Sequence, residues 1–207
     1  MAAASIPTKT RLRNAALDLV ACDGMESLSV RSLCRQVGIR ESSFYAHFPS
    51  KRALVDDLLR TAGAHGPLQM TERLEQQCSS LPDFARRLID GLVVAWTDPT
   101  AQKLRALLEA EISKSSELRS RFNDQILAMI DRVGAALKNY QTGVPQLAQL
   151  TPRVLGWSLV APVATMRANL FAHGAQPSHL AEGRAIASAH VEAWIAVYCR
   201  LEPEQRA

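Results

Sequence analysis

The chain of 207 residues has little of what builds sheets or membrane spans. Only 5% of its residues are aromatic, and runs in which Val, Ile or Thr alternate with polar residues are absent. Glycine and proline, which favour turns, are also few, with ten residues each. This pattern argues against a β-rich fold. No stretch of eighteen apolar residues occurs, and the amino terminus MAAASIPTKTR lacks the apolar core of a signal peptide. We therefore expect an all-α protein of the cytoplasm, without a membrane partner.

Cysteines and catalytic motifs are also sparse. Cys22, Cys34, Cys78 and Cys199 lie far apart, without the close pairs that bind zinc or form a C-x-x-C redox motif. We interpret them as structural thiols, with a redox sensor as the alternative. The chain has no Gly-rich phosphate loop, no H-E-x-x-H and no G-x-S-x-G. The sequence therefore predicts no enzyme, no metal site and no cofactor.

Positive charge is concentrated near the amino terminus. The net charge is +4 and the pI about 9.1. Residues 1–60 hold nine basic and six acidic groups, whereas the remainder holds fifteen and fourteen. Residues 31–52 alone hold five basic groups against one acid. A localised basic surface of this kind indicates phosphate groups of a nucleic acid as its partner.

The same segment has the pattern of two short helices joined by a tight turn. Apolar residues at helical spacing form one stripe: Val30, Leu33, Cys34 and Val37. Ser29 is the expected N-cap of this helix, and Gly38 is expected to end it in a left-handed conformation. A second helix, from about Arg40 to Phe48, would bury Phe44 and Phe48. The arrangement predicts a helix-turn-helix.

Several residues occur in an order and spacing typical of one protein family. They are Ala15-Ala16-Leu17, Gly24, Ser29-Val30-Arg31, Gly38-Ile39, Phe44-Tyr45, His47-Phe48, Lys51 and Leu54. Over roughly residues 8–60 the chain resembles the tetracycline-repressor (TetR) family of bacterial transcriptional regulators. The rest matches only in being helical and of ordinary family length.

The resemblance implies DNA-binding roles for eight residues: Arg31, Arg40, Glu41, Ser42, Ser43, Tyr45, His47 and Lys51. In the family, residues at the positions of Arg31 and 41–43 face base edges, while those at Tyr45, His47 and Lys51 usually contact phosphates. Arg40 departs from the family, because many members have a Ser or Thr cap there, and Ala46 replaces a larger residue. For Tyr45, His47 and Lys51 the alternatives are a half-buried aromatic, a surface or packing histidine, and a solvated helix start.

The resemblance also implies an architecture of about nine helices. We predict a three-helix helix-turn-helix domain in residues 1–50, a connecting helix in 51–66, and a helical effector-binding and dimerisation domain in 67–207. The last two helices, predicted near 152–173 and 178–201, are apolar around more than half their circumference. In the family such helices pack as a four-helix bundle between two subunits, so we expect a homodimer. We expect a charge at Trp194, in the last helix, to impair this dimer.

A small-molecule effector is a further implication of the resemblance. Candidate pocket residues are Trp96, Leu108, Phe122, Ile126, Met129, Trp157, Met166, Asn169, Phe171 and His173, each with ordinary core packing as the alternative. A largely apolar effector is expected, because such sites are mostly apolar. The implied function is a repressor that binds a palindromic operator in double-stranded DNA as a dimer and is released by the effector. An activator, a non-specific architectural DNA-binding protein and an enzyme are the alternatives.

Overall fold

The computed structural model describes residues 6–61, 65–140 and 149–199, and over these ranges it contains ten α-helices and no strand. The helices are α1 Thr8–Asp23, α2 Val30–Val37, α3 Glu41–Tyr45, α4 Lys51–Thr61, α5 His65–Gln77, α6 Leu81–Thr97, α7 Pro99–Ile112, α8 Ser116–Asn139, α9 Pro152–Asn169 and α10 Pro177–Tyr198. A 3-10 turn, Met25–Ser27, lies between α1 and α2. The prediction of an all-α protein with an amino-terminal helix-turn-helix is confirmed.

The chain divides into two compact units. The amino-terminal unit comprises residues 1–63 and 99–119, and the carboxy-terminal unit comprises 64–98 and 120–207. Helix α7, which the sequence places with the effector-binding domain, packs on α1 and α4 and so belongs to the amino-terminal unit. The functional division at residues 50 and 66 stays a prediction.

The amino-terminal unit is built around one apolar core. Its fully buried side chains include Leu12, Leu33, Phe44, Leu54 and Leu107, contributed by α1, α2, α3, α4 and α7. Removing a large apolar side chain of this kind from water contributes about 1.5 to 3 kcal/mol. Two ion pairs join helices inside the unit. Arg13 of α1 pairs with Asp57 of α4, and Asp18 of α1 pairs with Lys103 of α7.

Both ends of α2 have the capping residues that the sequence predicts. The Ser29 hydroxyl accepts a hydrogen bond from the Ser32 amide, and the Ser32 hydroxyl accepts one from the Ser29 amide, which satisfies two otherwise unpaired donors. Gly38 ends the helix at φ 72° and ψ 40°, a left-handed conformation that favours glycine. The predicted cap residues are confirmed.

Helix α3 is shorter than the predicted span from Arg40 to Phe48. Beyond Tyr45 the backbone tightens, because the His47 amide bonds the Phe44 carbonyl three residues earlier. Pro49 disfavours the helical conformation for the residue before it, which ends the element by Phe48. Phe44 and Phe48 are nevertheless both buried, as predicted.

In the carboxy-terminal unit, α6 packs against α5, α9 and α10. Helix α8 contributes Met129, Ile130, Val133 and Leu137 to the core. At the carboxyl end of α8 the Arg132 and Asn139 side chains donate hydrogen bonds to the Glu75 carboxylate. Burial raises the pKa of Glu75, but these two bonds and the positive charge of Arg132 together outweigh it and bring the pKa below its ordinary value.

Helices α8 and α9 cross with their backbones in contact. A Cβ atom on Gly134 would overlap the Pro152 carbonyl, and one on Gly156 would overlap the Ile130 carbonyl. Only glycine allows so close an approach at these two positions. The sequence, with its Gly and Pro, predicts a connection from Gln141 to Thr151, most of which lies outside the described residues.

No helix in the described ranges is long and apolar enough to cross a membrane.

Candidate nucleic-acid interface

Seven of the eight residues with expected DNA-binding roles lie in one short stretch of the amino-terminal unit. All eight side chains are exposed: Arg31, Arg40, Glu41, Ser42, Ser43, Tyr45, His47 and Lys51. Within residues 6–61, 65–140 and 149–199, only Lys51 among them uses its side chain in a hydrogen bond or ion pair. The other seven are available to a ligand.

Helix α3 presents its polar face because its opposite face is anchored. Phe44 is completely buried, and Phe48 packs against it with ring centroids 6.0 Å apart. Tyr45 lies on the exposed side and contacts the Phe44 ring edge to face at 5.3 Å. This packing fixes the direction in which the residues at 41–43 point.

Arg31 lies in the first turn of α2, next to the capping pair of Ser29 and Ser32. The cap stabilises the start of the helix and thereby fixes the backbone at Arg31. An exposed guanidinium at a fixed helix start can donate two parallel hydrogen bonds to a guanine edge or to a phosphate.

Lys51 has an intramolecular partner that the sequence does not indicate. Its ammonium group donates a hydrogen bond to the Leu28 carbonyl at 3.0 Å. Leu28 immediately precedes Ser29, so Lys51 joins the start of α4 to the start of α2. Since an ammonium group has three donors, this bond leaves two for a phosphate.

Two basic residues of α1 also support the helix-turn-helix. Arg11 donates a hydrogen bond to the Val37 carbonyl, at the end of α2 where backbone acceptors are otherwise unpaired. The Lys9 ammonium lies 5.3 Å from the centroid of the Phe48 ring. No local pattern in the sequence indicates these two contacts.

The cysteine of α2 is part of the core. Cys34 is buried, and burial raises the pKa of its thiol, with the nearby Glu41 carboxylate adding to the effect. A thiol of this kind stays protonated and packs as a small apolar group. No group of three metal-ligating side chains occurs in the part of the chain that the structure describes.

The ten candidate effector-binding residues are placed unequally. Leu108 belongs to the amino-terminal unit, whereas the other nine belong to the carboxy-terminal unit. Met129 and Phe171 are buried in the core of that unit, and Phe171 packs closely against Gly183. Trp157 and Asn169 are exposed, and the remaining five, Trp96, Phe122, Ile126, Met166 and His173, are half-buried. Arg167, absent from the sequence-based set, stacks over Trp96 at 5.1 Å.

The last two helices leave apolar residues on the surface. Val154 and Trp157 of α9 and Ile186 and Val197 of α10 are all exposed. Alanines at positions 181, 185, 189, 193 and 196 of α10 are exposed as well. Trp194, in contrast, is buried and donates its indole N–H to the Ser158 hydroxyl at 3.0 Å. Its side chain thus packs within the unit, and the expected effect of a charge at Trp194 on the dimer stays a prediction.

Comparisons with known proteins give one consistent answer. Residues 12–58 match the model of the family described as "Bacterial regulatory proteins, tetR family". Over 53 residues the chain is 36% identical to the HTH-type transcriptional regulator UidR of Escherichia coli K12, which is 26% of this chain and 27% of that protein. The match thus spans about a quarter of the length of this curated relative.

Solved structures match over nearly the whole chain. The TetR family transcriptional regulator PfmR of Thermus thermophilus has a TM-score of 0.63 at 19% identity, covering 96% of this chain and 99% of PfmR. The transcriptional regulator FadR of Bacillus subtilis, solved in complex with stearoyl-CoA, has a TM-score of 0.63 at 13% identity, covering 88% of this chain and 97% of FadR. At these identities the likeness concerns the fold.

Proposed function

We propose that the chain, whose residues 12–58 match the tetR family of bacterial regulatory proteins, is a sequence-specific, DNA-binding transcriptional repressor. The observation that carries the proposal is the polar face of α3, with an anchored backbone, exposed side chains and a basic surround. Base edges are contacted by residues 41–43 and Arg31, and phosphates by Tyr45, His47 and Lys51. Phosphate contacts set the register, and base contacts set the sequence preference.

The exposed apolar residues of α9 and α10 support a homodimer. Trp157 is 39% exposed and Val197 is 61% exposed. Neighbouring alanines allow a second helix pair to approach closely, and burying such a surface in a partner removes it from water. A two-fold dimer presents two α3 helices, so its operator is an inverted repeat with half-sites roughly 34 to 36 Å apart or somewhat more.

An effector that binds the carboxy-terminal unit completes the proposal. The half-buried residues Trp96, Phe122, Ile126 and Met166 favour a largely apolar molecule. The FadR neighbour, which was solved with stearoyl-CoA, is an instance of such a ligand on this fold. The effector lowers DNA affinity by favouring a different arrangement, and DNA lowers effector affinity by the same factor.

Selection of bound sequences from random DNA duplexes tests this proposal. The full-length protein should enrich an inverted repeat, and it should bind that repeat at least about a thousandfold more tightly than a scrambled duplex. Equal binding of both duplexes would instead indicate an architectural DNA-binding protein. Absence of binding at low salt would remove the DNA-binding function altogether.

A further inference from the structure

Arg52 extends the basic segment of the amino-terminal unit, but two acids compensate its charge. It follows Lys51 in α4, and its side chain is 63% exposed. Its Nε lies 2.9 Å from an Asp56 carboxylate oxygen, and its Nη1 donates to Glu111 Oε2 at 3.0 Å. Within the described residues, Arg31, Arg35 and Arg40 have no ion pair. Arg52 is therefore the arginine of residues 31–52 whose charge is cancelled.

The two acids hold Arg52 with unequal strength. The pair with Asp56 is solvent-exposed and joins residues four apart on one helix, an arrangement that contributes little because water competes for both partners. Glu111 is only 6% exposed, and burying its carboxylate is costly unless a cation remains beside it. Its second oxygen lies 3.6 Å from Lys114. Glu111 is thus the stronger partner of Arg52.

Helix α7 holds Glu111 in place. Leu107, one turn earlier, is completely buried in the core of the amino-terminal unit, and Lys103 forms an ion pair with Asp18 of α1. The carboxylate therefore has a fixed position, whereas the guanidinium that it binds is on a long exposed side chain. Of the two partners, Arg52 is the one that can move away.

We propose that Glu111 restrains Arg52 from contacting DNA phosphate, so that α7 sets the affinity of the amino-terminal unit for DNA. Carboxylate and phosphate oxygens both fit the planar fork of a guanidinium, and they compete for the same donors. Loss of the Glu111 charge therefore frees Arg52 for one more phosphate contact. This inference rests on the proposed DNA-binding function, and it makes Glu111 a positioning residue that acts through Arg52.

The test compares the salt dependence of operator binding in wild type and Glu111→Gln. The variant keeps the shape of the side chain but loses the charge that holds Arg52. Its log–log salt slope should be steeper by about 0.9, the increment for one additional phosphate. Between about 50 and 200 mM salt, its affinity should therefore fall by an additional factor of about 3.5 relative to wild type.

Arg52→Gln shows whether the effect passes through Arg52. In the Glu111→Gln background it should return the slope to the wild-type value, and in the wild-type background it should not flatten the slope. A flattened slope for Arg52→Gln alone would mean that Arg52 already contacts phosphate beside Glu111, which overturns the proposal. If Glu111→Gln does not fold, as judged by circular dichroism, a flattened slope for Arg52→Gln alone still overturns the proposal.

Asp83→Asn is the matched control for net charge. It frees Arg87, whose Nε lies 2.9 Å from the Asp83 carboxylate, on α6 of the carboxy-terminal unit. It changes the net charge by the same amount as Glu111→Gln and should leave the slope unchanged. A slope equally steep in both variants, or unchanged in Glu111→Gln, overturns the proposal. If wild type itself discriminates no duplex and shows no salt slope, the proposed function fails instead.

Discussion

Arg31 is the residue whose substitution separates base recognition from general affinity. We expect Arg31→Ala to relax the preference at one operator position and to weaken binding of the selected site by about 1 to 3 kcal/mol, because a bidentate contact to guanine is lost. Competition binding against a set of single-base operator variants measures this. Arg35→Ala removes the same charge from the other end of α2 and should affect all duplexes alike. An equal loss on every sequence for Arg31→Ala would contradict its base contact.

Lys51 combines two roles that a pair of variants can separate. Lys51→Gln loses the charge but can still donate a hydrogen bond to the Leu28 carbonyl, whereas Lys51→Met loses both. Both variants should flatten the salt slope by about one, because one phosphate contact is removed. Only Lys51→Met should also lower the free energy of unfolding, by about 1 kcal/mol. A salt titration and urea denaturation measure the two effects, and an unchanged slope in Lys51→Gln would exclude the phosphate contact.

At the scale of single residues, sequence patterns predict those features that depend on residues close by in the chain. The cap at Ser29, the left-handed Gly38 and the buried Phe44 and Phe48 all follow from local spacing. The Lys51 bond to Leu28 joins residues 23 positions apart. The pair of Arg52 and Glu111 spans 59 positions. No local pattern encodes such pairings, because they depend on how helices are placed in space.

Among the helices, the crossing of α8 and α9 is the most sensitive to a small substitution. Gly134→Ala puts a Cβ into the Pro152 carbonyl, a backbone atom that can move only if the helix moves. We expect a loss of about 1 to 3 kcal/mol in the free energy of unfolding, even though alanine favours helix. Urea denaturation, followed by circular dichroism, measures it.

Gly91→Ala is the matched control for that substitution. Gly91 lies inside α6, and its added Cβ would meet only the flexible end of the Met70 side chain. This variant should change the free energy of unfolding by less than about 1 kcal/mol in either direction, since repacking of Met70 offsets the gain in helix propensity. Equal losses in the two variants would show that helix–helix approach at Gly134 is not the cause.

The periodicity of apolar residues predicts where helices form, but it does not predict which helices pack against each other. The last two helices, predicted near 152–173 and 178–201, are present as α9 and α10, and their ends differ from the prediction by at most four residues. The placement of α7 with the amino-terminal unit was missed, because Leu104 and Leu107 form an ordinary apolar pair that would fit any core. The burial of Trp194 within the unit is not predictable for a related reason: an apolar helix has several faces, and the sequence does not say which one a neighbour covers.

For the whole molecule, the assembly state is the property to test. Val197→Glu puts a charge on the exposed apolar surface of α10, away from the packed Trp194. We expect the dimer to dissociate at concentrations where wild type remains dimeric, because a charge cannot be buried there without a partner. Sedimentation or light scattering at micromolar protein measures the mass. Val94→Glu makes the same change at an equally exposed position on α6 and should leave the mass unchanged. If both variants keep the wild-type mass, the interface lies elsewhere.

The amino-terminal unit is not contiguous in the chain, and this matters during synthesis. Its core includes Leu107 of α7, so α1 to α4 leave the ribosome with part of their apolar surface still uncovered. Residues 64–98, which belong to the other unit, must be translated before the missing helix emerges. At about 5 to 20 residues per second, this delay lasts several seconds. During that interval the nascent chain exposes apolar surface that chaperones recognise, and a fragment ending near residue 63 would keep it exposed permanently.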